Sequence, residues 1–177
     1  MDIDPGLAKA LGFPRARYTS VERERRWLCR EVPADGIARS EHINDLYVTG
    51  ARLRLREARP TNGGEAMLRL TRKNDVDPHT RLITSIYLPE DEFAVLANSL
   101  RGLRIEKVRH RLQPVDGVYV VVDEFLGALS GLVLAEAEFQ TQEELLAYAG
   151  PSFAVREVTQ DARFKGVSLA VHGIPSD

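Results

Sequence analysis

The sequence predicts an α+β protein, mainly antiparallel β, organised as a closed eight-stranded β-barrel with helices packed on its outside. Turn signals recur at short intervals, at Pro33-Ala34-Asp35-Gly36, Thr61-Asn62-Gly63-Gly64, Asp77-Pro78 and Pro114-Val115-Asp116-Gly117. Between them lie short segments rich in Val, Leu, Ile, Arg and Thr, the strand–turn–strand repetition of a barrel. Within those segments charged residues fall at i and i+2, and alternate residues of a strand share a face. No repeat, low-complexity tract or linker divides the 177 residues, so 1–177 reads as a single domain.

Taken in order, the N-terminal dozen residues are expected as a short helix and a first strand near 20–29. Further strands are expected near 46–58, 66–73, 80–88, 103–112, 117–125 and 131–139, with a shorter one near 152–158. Residues 89–101 open with Pro89-Glu90-Asp91-Glu92 and close at Gly102; proline and acids suit a helix N-terminus, glycine its end. Residues 141–149 begin Thr141-Gln142-Glu143-Glu144, a capping-box start, and stop before Gly150-Pro151.

Composition narrows the function classes. Apolar residues make up 44% and charged residues 28% of the chain, a globular balance that argues against disorder. No apolar run approaches the roughly 20 residues that span a bilayer, and the start lacks a basic segment followed by an apolar one, so neither a membrane span nor a signal peptide is expected. One cysteine, Cys29, excludes an intrachain disulfide and fits a reducing cytoplasm. With four scattered histidines, a thiolate or imidazole zinc site has no support.

The net charge of −2 conceals segregation. Arg52 to Lys73 holds seven basic residues against two acidic; Arg101 to Arg111 holds five against one; Asp116 to Asp161 holds nine acidic against one basic. The charges form rows: Glu22, Glu24 and Arg26; Arg52, Arg54 and Arg56; Arg69, Thr71 and Lys73; Lys107, Arg109 and Arg111; Glu136 and Glu138. One such row on a strand ordinarily faces water. Five rows sorted by sign differ from the mixed pairing of solvent-facing strands. A barrel with apolar rows outward and charged rows lining a wet lumen accounts for them, provided a counter-charge occupies the lumen. Polyphosphate suits arginine forks, and paired glutamates offer the hard oxygens that Mg²⁺ or Mn²⁺ take. No Gly-rich phosphate loop is present, so side chains would hold the phosphate. Asp123 is open between a metal or water contact and a structural hydrogen bond, and Trp27, opposite Arg26, reads as core.

The run Val21-Glu22-Arg23-Glu24-Arg25-Arg26-Trp27-Leu28 resembles the E-x-E-x-K signature of the CYTH superfamily, the triphosphate tunnel metalloenzymes. The resemblance runs from about residue 20 to 170. It continues through Ile43-Asn44-Asp45-Leu46-Tyr47 (I-x-Q-x-Y-L in the family), Arg52-Leu53-Arg54 (R-x-R), Thr71-Arg72-Lys73 (T-x-K) and Lys107-Val108-Arg109 (K-x-R). Asp123-Glu124-Phe125-Leu126-Gly127, Gly131-Leu132 and Glu136-Ala137-Glu138-Phe139 lead to the second carboxylate pair, and Glu157-Val158-Thr159 with Asp161 and Arg163 fits the closing element.

The resemblance implies a metal-dependent triphosphatase acting on inorganic tripolyphosphate or a small organic triphosphate, with Mg²⁺ or Mn²⁺. Glu22, Glu24, Glu136 and Glu138 would serve the metal; Arg52, Arg54, Lys73, Arg81, Lys107, Arg109 and Arg163 would hold phosphate; Arg26 and Tyr47 would stand at the catalytic positions. Two departures bear on turnover. Arg26 replaces the signature lysine, and a guanidinium has almost no neutral form to accept a proton. Ile83 and Ser85 stand where glutamates commonly follow Arg81. The alternatives are a non-catalytic polyphosphate- or nucleotide-binding protein and a class IV-type adenylate cyclase. An enclosed basic row with few aromatics disfavours nucleic acid, and relatives allow a homodimer.

Overall fold

The structure, a computed structural model, describes residues 4–176. Eight strands close into a ring: β1 (Ser20–Cys29), β2 (Ile37–Val48), β3 (Leu53–Pro60), β4 (Met67–Asp75), β5 (Thr80–Tyr87), β6 (Gly102–Leu112), β7 (Tyr119–Phe125) and β8 (Val133–Phe139). Neighbours run β5-β4-β3-β2-β6-β7-β8-β1, every pairing is antiparallel, and β1 returns to β5 through Ser20–Arg23. A ninth strand, β9 (Ala154–Glu157), lies on the same edge of β1, against Trp27–Cys29. Between the two partners of that edge the wall is completed by Glu24 N–H donating to the His79 carbonyl, 2.9 Å, and by Val158 N–H donating to the Arg26 carbonyl, 2.8 Å.

The helices are α1 (Pro5–Ala10), α2 (Glu90–Ser99), α3 (Gln142–Ala147) and α4 (Gly166–His172). Each start follows from local chemistry. Asp4 accepts the Leu7 N–H at 2.7 Å to cap α1; residues 1–3 of the helix expected there lie outside the described residues. Three acids fill the first turn of α2. At α3 the capping box is complete: Thr141 Oγ1 accepts from Glu144 N–H, and the Glu144 carboxylate accepts from Thr141 N–H, both at 3.1 Å.

Two expectations are corrected. The single strand placed near 46–58 is the end of β2, a turn and the start of β3; Gly50 supplies the turn with φ +76°. The body of β2 was missed because Arg39, Glu41, His42, Asn44 and Asp45 put polar residues on both faces and hide the alternation. Helix α4 was missed as well, since seven residues barely complete two turns and show little period.

The apolar rows do face outward. Trp27, Val122, Ala135, Ala137 and Phe139, from β1, β7 and β8, form a core on the barrel's exterior, covered by Leu145 of α3 and by Tyr148, whose ring meets Trp27 edge-on at 5.6 Å. A second core lies at one end of the ring, where Ile105, Phe125 and Leu134 receive Phe164 and Leu169. A third, small one joins α1 to Leu82 through Ala8 and Phe13. Among the described residues no helix is long and apolar enough to cross a membrane.

Leu145 is 1% exposed. Leu145→Ala is therefore expected to lower stability in urea denaturation by about 2–5 kcal/mol, and Thr141→Ala, which only uncaps α3, by about 1 kcal/mol.

Candidate active site: a charged tunnel

The ring encloses a cavity of about 1070 Å³ lined by eleven basic and five acidic side chains. This excess of positive charge sits among low-dielectric walls, where like charges repel strongly. Twelve of the thirteen residues singled out from the sequence line the cavity. The thirteenth, Arg163, does not: it is half-exposed and holds Asp161 at 2.7 Å and the Ser176 carbonyl at 3.1 Å.

One wall, β1 and β8, carries the carboxylates. Their register sets Glu24 against Glu138 and Arg26 against Glu136. Arg26 is buried and uses its whole guanidinium: Nη2 donates to Glu24 at 2.7 Å, Nε to Glu136 at 2.9 Å, and Nη1 to the Phe164 carbonyl at 3.0 Å. Arg81 of β5 donates a further contact to Glu24 at 2.7 Å, and Lys73 of β4 meets Glu22 at 2.8 Å. The Glu136 carboxyl is held well below its ordinary range; burial opposes this, and the cations of Arg26, Arg109 and Lys107 overcome it. Exposed Glu138 moves the other way, raised by desolvation and by the carboxylates of Glu22, Glu24 and Glu136.

The opposite wall, β2 to β4, carries cations. Asp45, 0% exposed, anchors it: Arg56 forks onto both its oxygens at 2.6 Å, and Arg54 Nε lies 3.6 Å away. Arg54 Nε and Nη2 and Arg69 Nε are buried without a hydrogen bond. Burial and the neighbouring Arg56 and Arg54 lower the proton affinity of Arg69. Tyr47 lies beside Arg54, and its hydroxyl packs so closely on Gly166 that a Cβ there would collide with it. Burial and Asp45 raise the Tyr47 phenol, which stays protonated. Arg52 is exposed in the turn before β3, at the rim.

Between the walls, β6 and β7 form a third cluster. Arg109 forks onto Asp123 at 2.7 Å and reaches Glu136 at 2.7 Å, while Lys107 meets Asp123 at 2.5 Å. Asp123, 1% exposed, is thus a structural counter-ion, one of the two roles left open for it above. Asp45, Arg56, Arg69, Arg111 and Lys165 were not singled out. Arg56, Arg69 and Arg111 were legible as members of the rows, and Asp45 as the residue standing at the family's glutamine. Lys165, which enters the lining beside α4 and meets Asp75 at 2.5 Å, has no sequence signal of its own.

Whether a divalent cation suits this place depends on the donors. Four carboxylates on β1 and β8 supply hard oxygens, and Glu138 is raised by burial and by the neighbouring glutamates, which a cation would offset. Among the described residues, however, no three acidic or imidazole groups are preassembled to hold an ion, because arginines already occupy Glu24 and Glu136. The chemistry fits, with these resident cations in the way.

A closed antiparallel barrel whose lumen is ion-paired and cation-rich defines a polyanion-binding tunnel protein. No protein-family model matches the chain. The inorganic triphosphatase of Nitrosomonas europaea is 30% identical over 155 residues, which cover 85% of this chain and 97% of that one. A crystal structure of an inorganic triphosphatase superposes with a TM-score of 0.59 at 28% identity, covering 88% of this chain and 97% of that one. A Pyrococcus horikoshii protein of known structure, TM-score 0.53 and 21% identity over 71% of this chain and 82% of its own, shares the fold. This chain belongs to the triphosphate tunnel metalloenzymes, the CYTH superfamily, with the inorganic triphosphatases.

Lys107 provides a pH test. Desolvation, with Arg109 and Arg56 nearby, brings its amine down to about 8 although Asp123 opposes the shift. Between about 8 and the ordinary lysine value of about 10.4, the folded protein has lost a proton that the unfolded chain retains. This group's contribution to stability therefore rises with pH across that window. A polyanion restores the proton, so calorimetry with tripolyphosphate at pH 8.5, in buffers of different ionisation enthalpy, is expected to show proton uptake. The uptake should shrink at pH 6.5 and in Lys107→Arg, what remains in the variant being due to Lys73, which burial also lowers.

Proposed function

We propose that the tunnel binds a triphosphate, inorganic tripolyphosphate or a small organic one, together with Mg²⁺ or Mn²⁺, and hydrolyses its terminal phosphoryl bond. The observation that carries this reading is the set of buried, partnerless guanidinium donors on Arg54 and Arg69, within a lining where cations outnumber acids. An unpaired buried donor costs about 1–3 kcal/mol or more when charged, and phosphate oxygens satisfy it with the geometry that guanidinium forks match. The 30% identical inorganic triphosphatase supports the same substrate class.

In this reading Arg52, Arg54, Lys73, Arg81, Lys107 and Arg109 grip the phosphates from three sides, and Arg163, outside the lining, braces Asp161 and the Ser176 carbonyl. Glu22, Glu24, Glu136 and Glu138 would hold the metal, which when bound neutralises phosphate charge and polarises the bond to be broken. The cation walls stabilise the charge that develops as the phosphoryl group transfers. Arg26 is unsuited to activate water: its proton affinity is raised by Glu136 and Glu24 against the effect of burial, and each arm of its guanidinium is engaged. Tyr47, its phenol raised by burial and Asp45, does not act as a base. The buried thiol of Cys29, raised by desolvation, is unreactive and takes no part in the chemistry.

The absence of a lysine at position 26 favours a second reading, in which the tunnel captures polyphosphate without turnover. Phosphate release from tripolyphosphate, with and without Mg²⁺ or Mn²⁺, separates the two. Metal-dependent release that Glu136→Gln abolishes is the expected result; a raised melting temperature without release would establish capture alone. Arg54→Ala is expected to weaken tripolyphosphate binding by about 1.5–3 kcal/mol, the range for a hydrogen bond to a charged group.

A further inference from the structure

Arg26 stands where a metal would need to be. Its guanidinium bridges Glu24 and Glu136, two of the four carboxylates assigned to the metal, at 2.7 and 2.9 Å. Both oxygens of Glu136 are taken, and on Glu24 two guanidinium groups converge on Oε1. Glu24 Oε1 also receives Arg81 at 2.7 Å, and Glu136 Oε2 receives Arg109 at 2.7 Å. Mg²⁺ coordinates such oxygens at about 2.0–2.1 Å and tolerates little departure from octahedral geometry. A guanidinium and a dication cannot share one oxygen in this buried setting without strong repulsion.

We propose, on the reading that these glutamates are the metal's carboxylates, that Arg26 is a resident counter-cation which competes with divalent metal for Glu24 and Glu136 and must be displaced for the ion to bind. The chemistry of arginine makes this competition persistent. A lysine at the same position can surrender its proton and its charge; a guanidinium stays charged throughout the working pH range. Metal affinity in this chain is consequently weaker than its four carboxylates would otherwise give.

Arg26 also ties the carboxylates to the chain's C-terminal segment. Its Nη1 donates to the Phe164 carbonyl at 3.0 Å, and Phe164 packs with Leu169 of α4 against the end of the barrel. Displacement of the guanidinium releases that carbonyl, so ion binding loosens the segment leading into α4. Arg26 is thus a positioning residue for both, and it touches the reacting phosphate in neither role.

The test uses the full chain and Mn²⁺ alone, with no phosphate present, so it is independent of whether hydrolysis occurs. Titration calorimetry and the paramagnetic resonance of free Mn²⁺ give the affinity of the wild type and of Arg26→Gln, which keeps the polar contact and removes the charge. The expected result is binding about tenfold tighter or more in Arg26→Gln, equivalent to about 1.4 kcal/mol, with a lower melting temperature in the absence of metal and a larger rise on adding it. Arg26→Lys, which keeps the charge but cannot bridge both carboxylates, is expected to fall between the two, and it decides the matter if Arg26→Gln does not fold. Affinity equal to or weaker than wild type in the folded variants overturns the proposal, as does a failure of wild type and variants alike to bind Mn²⁺.

Discussion

The structure depends on two buried aspartates. A barrel whose lumen collects eleven basic side chains cannot close on cations alone, because in a poorly solvated interior their repulsion would exceed what the strand pairings return. Asp45 and Asp123, each almost wholly buried, sit behind the lining and fork with Arg56 and Arg109. They hold the guanidinium groups of Arg56 and Arg109 in place without lining the space a ligand would fill. The remaining donors, on Arg54 and Arg69, are then free of partners by construction. The glutamates of β1 and β8 complete the balance on the far wall, where Arg26 and Arg81 draw two of them inward.

This arrangement inverts the usual distribution of polarity. Hydrophobic packing, the main source of stability, lies on the outer face of β1, β7 and β8 and at the end closed by α4, while the centre is polar. The inversion explains why α3 is short yet carefully capped: its task is to lay Leu145 over Trp27 and Ala137 rather than to enclose a core. It also explains why α2 can lie on the surface with no buried residue at all.

Much of this was legible in the sequence, because period-two rows of one charge sign are a strong pattern when five strands carry them. Alternation puts Glu22, Arg54, Lys73, Arg109 and Glu136 on one face and Trp27 and Ala137 on the other; that the charged face points inward follows from the sorting of five rows by sign. What could not be read has physical causes. Strand β2 has polar residues on both faces, since one lines the tunnel and the other reaches solvent, so its alternation is lost. The pairing of Asp45 with Arg56 depends on cross-strand register, which no local signal sets. Arg163 and Lys165 lie two positions apart beside a short helical turn, and only the fold decides that Lys165, and not Arg163, enters the lining.

Strand β1 is the first strand made and the last to be satisfied. Its partners are β5, β8 and β9, so Arg26 has to wait for Glu136, far along the chain, and its own N–H for the hydroxyl of Thr159. Contacts between such distant segments form late, because the loop must close before they return any energy. The β1–β8 charges are therefore neutralised late in closure, whereas Asp45–Arg56 and Asp123–Arg109 join segments close in sequence. Substitutions on β1 should act on how fast the barrel opens far more than on how fast it forms.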